Sequence, residues 1–436
     1  MTKKYTAPRG TIDILPPESV KQLHVEAVFR DLAENYGYLP IRTPMFESTE
    51  LFARGAGESS DIVSKEMYTF ADKKGRSMTL RPEGTPGLVR ALIEAGWNFS
   101  EQTRLYYVGS MFRYQRPQKG RYREHTQVGV EILGAPSVTA DVEVISLGVN
   151  FLYTLGLERI RVAVNSLGTA EERTDYNREL KAFVDAHRDG FCPDCHFRVE
   201  HNPLRVFDCK VTECREVLGA APKVVEAISE ASTARFETLK ELLREEEIKV
   251  EVDPLLVRGL DYYTHTVFEV MMEGDTGQQA SLMGGGRYDG LVELYGGPST
   301  PAMGFGAGLE RIAEAVDWRG IEELIQPRCD VAVIGMGAEG IGLGTTIADR
   351  LRNEGLIVHI DHRATSIGNQ LGQASSLSAA AAIIIGEDEL KEGVVTVKDM
   401  GSGNQESVPT DQVVEYVLES FGQGEEFGSD MQTGCS

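Results

Sequence analysis

Residues Leu105–Glu131 read LYYVGSMFRYQRPQKGRYREHTQVGVE, and the rest of the chain is organised around them. Both ends of this stretch are apolar and β-prone, and the centre carries Pro117 and Gly120, so it reads as strand, long loop, strand. Between Arg104 and Arg123 stand Arg104, Arg113, Arg116, Lys119, Arg121 and Arg123, with no Asp or Glu among them. Such a run suits an anion, because guanidinium groups stay charged and grip planar oxygen acceptors in a fork. Further along, Gln127 and Glu131 are four residues apart and fall on one face of the second strand.

The basic run is an exception in its chain. The 436 residues hold 44 Lys and Arg against 67 Asp and Glu, a formal net charge of −23. An average surface of that sign repels polyanions, so any nucleic-acid contact has to use local basic patches. The length calls for two or three domains, and 41% apolar and 8% aromatic residues can fill their cores. No apolar run approaches the roughly 20 residues of a membrane span. The start, MTKKYTAPRG, lacks the apolar region of a signal peptide, so no membrane contact and a cytoplasmic location are expected.

Upstream of the basic loop, apolar spacing predicts an amphipathic helix over Pro16–Tyr36, followed by an extended GYLPIRTPMFE whose exposed edge wants a partner. SMTLRPEGT leads into a helix over Pro86–Glu94, and a further helix covers Asp141–Leu155. Downstream come a strand, RIRVAVNSLG, a charged helix over Ala170–Asp189, a cysteine-bearing loop and a helix over Ser232–Glu247. We read 165–247 as an insertion in one sheet, which resumes at VEVDPLLVRGLDYYTHTVFEVMM and ASLMGGGRYDGLVELYG. Composition breaks near Trp318–Pro327. Beyond it, strand and helix alternate as in a small α/β domain with a largely parallel sheet, with VVTVKDM as its edge strand and a last helix over Asp411–Phe421. GQGEEFGSDMQTGCS reads as a disordered tail.

Three further segments carry chemistry. Arg258–Thr264, RGLDYYT, sets a guanidinium beside two aromatic rings, and Gly284-Gly285-Gly286-Arg287 offers backbone without side chains, room for a flat ligand such as a purine. A solvated turn and a flexible hairpin are the plainer readings of each taken alone. GFGAGLERI, Gly304–Ile312, reads as glycines entering a helix with Arg311 one turn in, but it lacks dinucleotide-loop spacing, and the chain has no GxxxxGK[ST] phosphate loop. A nucleotide would then be held by arginines on strands, with Arg113, Arg121, Arg258 and Arg311 the available set. Buried carboxylates are costly unless a cation or donor meets them. A ligand with an ammonium and an imidazole would satisfy Glu83, Gln127 and Glu131 together, and for Glu131 a neighbouring arginine is the equal alternative. Cys192 and Cys195 form C-x2-C and Cys209 and Cys214 C-x4-C, open to a tetrahedral zinc site or to four reduced thiols, so no metal is assigned.

RGTIDILPPES, TPMFESTELFARGAGESSDIVSKEMYTF, LRPEGT, MFRYQRPQKGRYRE, LVRGLDYYT, GGGRYDGL and GFGAGLERI, in this order, resemble the class II aminoacyl-tRNA synthetases, and specifically the histidyl-tRNA synthetase family, up to about Phe421. The resemblance implies an α+β fold. An antiparallel catalytic sheet with flanking helices spans 1–325 with the 165–247 insertion domain, an α/β anticodon-binding domain spans 328–422, and a tail 423–436. It implies a homodimer whose interface includes the first helix and the strand around Pro44. The implied partners are L-histidine, ATP with Mg2+, and tRNA-His, with no organic cofactor. By matching position, Glu83 and Thr85 hold the substrate ammonium, Gln127 and Glu131 the histidine carboxylate or ring, and Tyr262 and Tyr263 the imidazole. Arg113 and Arg258 grip the α-phosphate as the catalytic pair, Arg121 and Arg311 the outer phosphates, Gln115 the adenine, and Arg116 and Gln118 the tRNA acceptor end.

Three positions depart from the family pattern. Gln115 stands where the class has Glu, His125 where an aromatic Phe stacks on adenine, and SIGNQLGQASSL lacks the lysines relatives show. An amide still accepts from an amino group and an imidazole still stacks, so a weaker adenine contact is expected. Two other readings compete: a histidine-sensing regulatory subunit of ATP phosphoribosyltransferase, and a nucleic-acid-binding protein that keeps only the fold. The retained C-terminal domain and Arg113, Arg258 and Arg311 favour the ligase.

Overall fold

The computed structural model describes residues 5–57, 60, 62–117, 120–274, 281–319, 329–363 and 365–421. The chain forms two compact units, Met1–Arg319 and Gly320–Ser436. Strands of the first are β1 (Leu39–Pro40), β2 (Phe46–Ser48), β3 (Tyr68–Ala71), β4 (Ser77–Leu80), β5 (Thr103–Phe112), β6 (Glu124–Leu133), β7 (Ile160–Ser166), β8 (Val250–Val252), β9 (Thr264–Met272), β10 (Ser281–Arg287) and β11 (Ala302–Gly308). Eight of them make one sheet in the order β1-β5-β6-β11-β10-β9-β7-β8, and β2-β4-β3 make a small separate one. The large sheet is antiparallel from β5 to β7, and only β1 and β8 add in parallel at its edges.

One face of this sheet is dry. Helix Glu18–Asn35 buries Val25, Phe29 and Ala33 at four-residue spacing, one stripe of a helix. The Phe29 ring packs edge-on against Tyr106, Phe151 and Phe305, and its full burial contributes about 2–3 kcal/mol. Helix Val138–Thr154 is apolar nearly all round, because it lies between the sheet and its neighbouring helices; the Ser137 hydroxyl caps it by accepting from Thr139 N at 3.2 Å.

The segment between β7 and β8 is helical. Helix Ala170–Ala186 starts with a capping box, Thr169 Oγ1 accepting from Glu172 N at 3.2 Å and Glu172 Oε2 from Thr169 N at 2.7 Å. The cysteines, expected on a loop, instead lie on or beside the short helices Pro193–His201, Pro203–Asp208 and Thr212–Leu218. The sequence there is short in apolar periodicity, which hides its turns.

The second unit carries β12 (Val331–Gly335), β13 (Val358–Ile360), β14 (Ala381–Ile385), β15 (Val394–Asp399) and β16 (Gln405–Pro409) in the order β13-β12-β14-β15-β16. Only β13, β12 and β14 run parallel, so the sheet is mixed rather than largely parallel. VVTVKDM, expected at the edge, is β15 and lies inside, because the polar QESVP forms the true edge strand β16. Helices Gly337–Asn353, Ile367–Ser376, Glu387–Glu392 and Val413–Phe421 accompany the sheet. Residues 423–436, read as a tail, lie outside the described residues. Among the described residues no helix is long and apolar enough to cross a membrane.

Candidate active site

The other face of the large sheet carries the polar residues. Side chains paired directly across an antiparallel ladder point to the same side. One row runs Leu105, Glu131, Gly304, Gly286, Val267, the next Tyr107, Gly129, Gly306, Gly284, Glu269, and a third Gly109, Gln127, Gly308. Glycines so placed leave a low floor on which long side chains lie flat. A Cβ at Gly304 would overlap the Glu131 carboxylate, one at Gly306 the Gln127 amide, and one at Gly284 the Arg258 guanidinium. The room that the triple glycine was expected to offer a flat ligand is thus used by the protein's own groups, and Gly284–Gly286 lie inside strand β10, not in a hairpin. Likewise Gly304, Gly306 and Gly308 lie on β11, and helix Leu309–Ala315 begins only after them. An antiparallel register, invisible in one sequence, decides both corrections.

Two buried carboxyl groups sit over this floor. Glu131 Oε1 accepts from Thr85 Oγ1 at 2.5 Å and Oε2 from Tyr288 Oη at 2.6 Å. Hydroxyls therefore satisfy it, and no arginine among the described residues does. Glu83, on the turn before helix Thr85–Glu94, accepts from Tyr262 Oη at 2.7 Å through Oε2, while its buried Oε1 has no partner among the described residues. Burial pushes Glu131 up to about 8, against the pull of the Thr85 and Tyr288 hydroxyls. Burial likewise pushes Glu83 up to about 7, opposed by Tyr262 and by the charge of Arg113. Gln127 Nε2 donates to Tyr107 Oη at 2.7 Å. The Tyr262 ring stands 4.8 Å from Tyr263 and 5.8 Å from Tyr288, so aromatic walls enclose the acids.

Beside this pocket lies a cationic group. Arg113 Nε is held by Pro82 O at 2.8 Å, and Arg311 donates to Gly120 O at 3.0 Å and Ser281 O at 2.7 Å. Arg258 meets Glu269 at 3.3 Å, and its buried Nε has no partner among the described residues. Burial first, then the charges of Arg311 and Arg113, lowers the Arg121 pKa against the pull of Glu66. His125 is pushed down to about 3 by burial and by the same three arginines, so its ring is neutral. Gln115 is held at both ends of its amide: its nitrogen donates to Glu66 at 2.6 Å and its oxygen accepts from Arg121. Arg116 is exposed at the loop, and Gln118 lies outside the described residues.

The fold thus gathers Glu83, Thr85, Gln127, Glu131, Tyr262 and Tyr263 in one pocket and Arg113, Gln115, Arg121, Arg258 and Arg311 next to it. Reading the sequence missed Tyr107, Tyr288, Glu66 and Glu269. Tyr107 had a usable signal, since it alternates with Leu105 and Gly109 on β5; the others become neighbours only through register. Such a site suits a molecule with a cationic end set toward the acids and an anionic end turned toward the arginines.

The chain is similar to known proteins over most of its length. The family model described as Histidyl-tRNA synthetase matches residues 10–187 and 196–312, and one described as Anticodon binding domain matches 330–420. The chain is 47% identical over 408 residues to a histidine–tRNA ligase of Caldanaerobacter subterraneus subsp. tengcongensis, covering 93% of this chain and 98% of that one. It is 45% identical over 419 residues to the histidine–tRNA ligase of Listeria monocytogenes serovar 1/2a, covering 95% and 99%. The crystal structure of apo S. aureus histidyl-tRNA synthetase superposes with a TM-score of 0.79 at 38% identity, covering 95% of this chain and all of that one.

Proposed function

The chain belongs to the histidyl-tRNA synthetase family, and from that premise we propose that it joins histidine to tRNA-His in two steps on the face just described. Histidine and ATP first give histidyl-adenylate and pyrophosphate. The histidine carboxylate oxygen attacks the α-phosphorus, the bond to the bridging oxygen breaks, and pyrophosphate leaves with its charge. The histidyl group then passes to the 3′-terminal adenosine of the tRNA, and AMP leaves.

The observation that carries this reading is the pairing of an acid pocket with an arginine cluster on one glycine floor. Glu83 Oε1, buried and without a partner among the described residues, receives the substrate ammonium together with Thr85. Gln127, Glu131, Tyr262 and Tyr263 hold the imidazole and orient the carboxylate. Arg113 and Arg258 lie against the α-phosphate and neutralise the charge that builds there, and Arg121 and Arg311 take the outer phosphates. Glu66, Gln115 and the neutral His125 ring face the adenine. Mg2+ fits as a companion of the nucleotide: among the described residues the only cluster of three or more candidate metal ligands is made of cysteines, so phosphate oxygens would supply most of its ligands. When bound it would offset phosphate charge.

Arg116 and Gln118 on the loop meet the acceptor end, and the unit beyond Gly320 reads the anticodon. Leu39, Met45 and Phe46 are more than half exposed around the short edge strand β1, which supports a homodimer through this face. The working place would be the cytoplasm. The regulatory reading is disfavoured because the anticodon-type unit and all four phosphate-facing arginines are present.

Histidine-dependent exchange of labelled pyrophosphate into ATP tests the reading: rapid exchange is expected, and folded protein that exchanges none would sink it. A second expectation concerns pH. Glu83 and Glu131 titrate near 7 and 8 in the folded protein against about 4.3 for a free Glu. Folding therefore binds their protons; that stabilisation is complete below about pH 4 and is lost as pH rises through 7 and 8. The ligand-free Tm is expected to fall between about pH 4 and 8 and to level off above, with Glu131→Gln making the fall shallower and ending it near 7, and histidine restoring most of it by supplying a cation. Equal Tm curves with and without histidine would remove these acids as its receptors.

A further inference from the structure

Four cysteines outside the pocket converge on one point. Cys192 precedes helix Pro193–His201, Cys195 lies in its first turn, Cys209 closes the turn Pro203–Asp208, and Cys214 lies in helix Thr212–Leu218. Their sulfurs all lie within 4.8 Å of one another, three of the residues buried and Cys192 partly so. The thiols are free, and Cys192 Sγ stands 3.8 Å from Cys209 Sγ, nearly twice the roughly 2.05 Å of a disulfide. Sulfurs at the corners of a regular tetrahedron, each about 2.3 Å from a central Zn2+, lie about 3.8 Å apart. The backbone N–H of Cys192 also donates to Cys214 Sγ at 3.1 Å, the kind of hydrogen bond that steadies a ligating thiolate. An apolar core alone would not turn four sulfurs toward one centre, since any small apolar side chain fills such space equally well.

The segment enclosed by these cysteines reaches the active site. Asn202 Nδ2 donates to Asp261 Oδ1 at 2.7 Å, and Arg205 donates to Gly259 O at 2.7 Å and stands 3.6 Å from Asp261. Both residues sit between Cys195 and Cys209, and the loop they hold carries Arg258, Tyr262 and Tyr263. Buried Arg205 is braced in turn by Asp208, at 3.0 Å, next to Cys209.

We propose that Cys192, Cys195, Cys209 and Cys214 bind one Zn2+ as a closed tetrathiolate site, and that this knuckle positions the Arg258–Tyr263 loop through Asn202 and Arg205; only the second clause rests on the ligase reading. The full chain, purified without added metal, is to be analysed for metals and titrated for free thiols. About one zinc per chain is expected, with below about 0.1 in the Cys192→Ser/Cys214→Ser variant, and Co2+ in place of zinc is expected to show the visible absorption of a tetrahedral thiolate complex. Less than about half an equivalent of zinc with all 6 thiols of the chain titratable, iron in its place, or a disulfide would overturn the site. Because the cysteine variant is liable to misfold, Asn202→Ala, which keeps all four sulfurs, tests the coupling. It should retain zinc and raise the KM for histidine about tenfold, the scale of removing one orienting hydrogen bond. An unaltered histidine KM would refute the coupling. The zinc count needs no activity assay, so a chain that holds zinc and exchanges no pyrophosphate refutes the ligase reading and supports the site.

Discussion

Arg258→Ala is expected to reduce histidine-dependent pyrophosphate exchange by at least a hundred- to a thousandfold, roughly the loss on removing one preorganised donor to a developing oxyanion. The guanidinium lies over the bare backbone of Gly284 and beside Glu269, where no other described side chain can take its place. Its contribution to stability is small by comparison, because the Arg258–Glu269 pair is about a quarter exposed on each side and solvent screens it. The variant should therefore melt within a few degrees of the parent while exchange collapses. Arg258→Lys is expected to recover little, since one ammonium cannot span two oxygens as the planar fork does. Both variants are to be read by exchange and by thermal melting. Undiminished exchange in the alanine variant would show that this arginine does not face the α-phosphate.

The strands of the catalytic face are legible in the sequence because alternation has a period of two: Gln127 and Glu131 have to share a side, and they do. What lies opposite them is not. Tyr288 follows a glycine run and looks like part of a turn until β10 is set beside β11; only then does its hydroxyl reach Glu131. Glu66 and Glu269 are silent for the same reason, since an isolated acid carries no mark of the arginine or amide it will meet. The glycines stand out for the right property, a missing side chain, but one sequence does not say who uses the space. In the second unit the difficulty is of another kind. Strand β16 is almost wholly exposed, so QESVP has no apolar alternation to betray it, and β15 reads as the edge in its place. Local pattern reports burial on a face, and register and edge order are tertiary facts.

The largest effect on folding is expected from the pair Arg287 and Asp141, which are 1% and 0% exposed in the side chain. Arg287 Nε donates to Asp141 Oδ1 at 2.9 Å, and its other nitrogens reach Ala135 O at 3.0 Å, Asp289 at 3.1 Å and Ser137 O at 3.2 Å. Asp141 Oδ2 also accepts from Thr266 Oγ1 at 2.7 Å and from Arg235 at 3.1 Å. Removing one member leaves the other buried with only its weaker counter-charge, Arg235 for Asp141 and Asp289 for Arg287, which costs about 3 kcal/mol. Arg287→Ala and Asp141→Ala should each lose that much in urea denaturation. Trp97 and Trp318, the chain's 2 tryptophans, both lie in the first unit, so their fluorescence reports that unit alone. The apolar double variant Arg287→Met/Asp141→Leu should lose clearly less than the sum of the single losses, because no unpaired charge remains between the two. Strict additivity would mean that each charge is satisfied mainly by its other partners. The same cluster fixes the end of β10, from which Tyr288 reaches Glu131, so the single variants should also raise the KM for histidine under conditions where they remain folded. If stability fell by the expected amount and that KM did not move, Tyr288 would be held by the aromatic wall of the pocket and not by the ion pair beneath it.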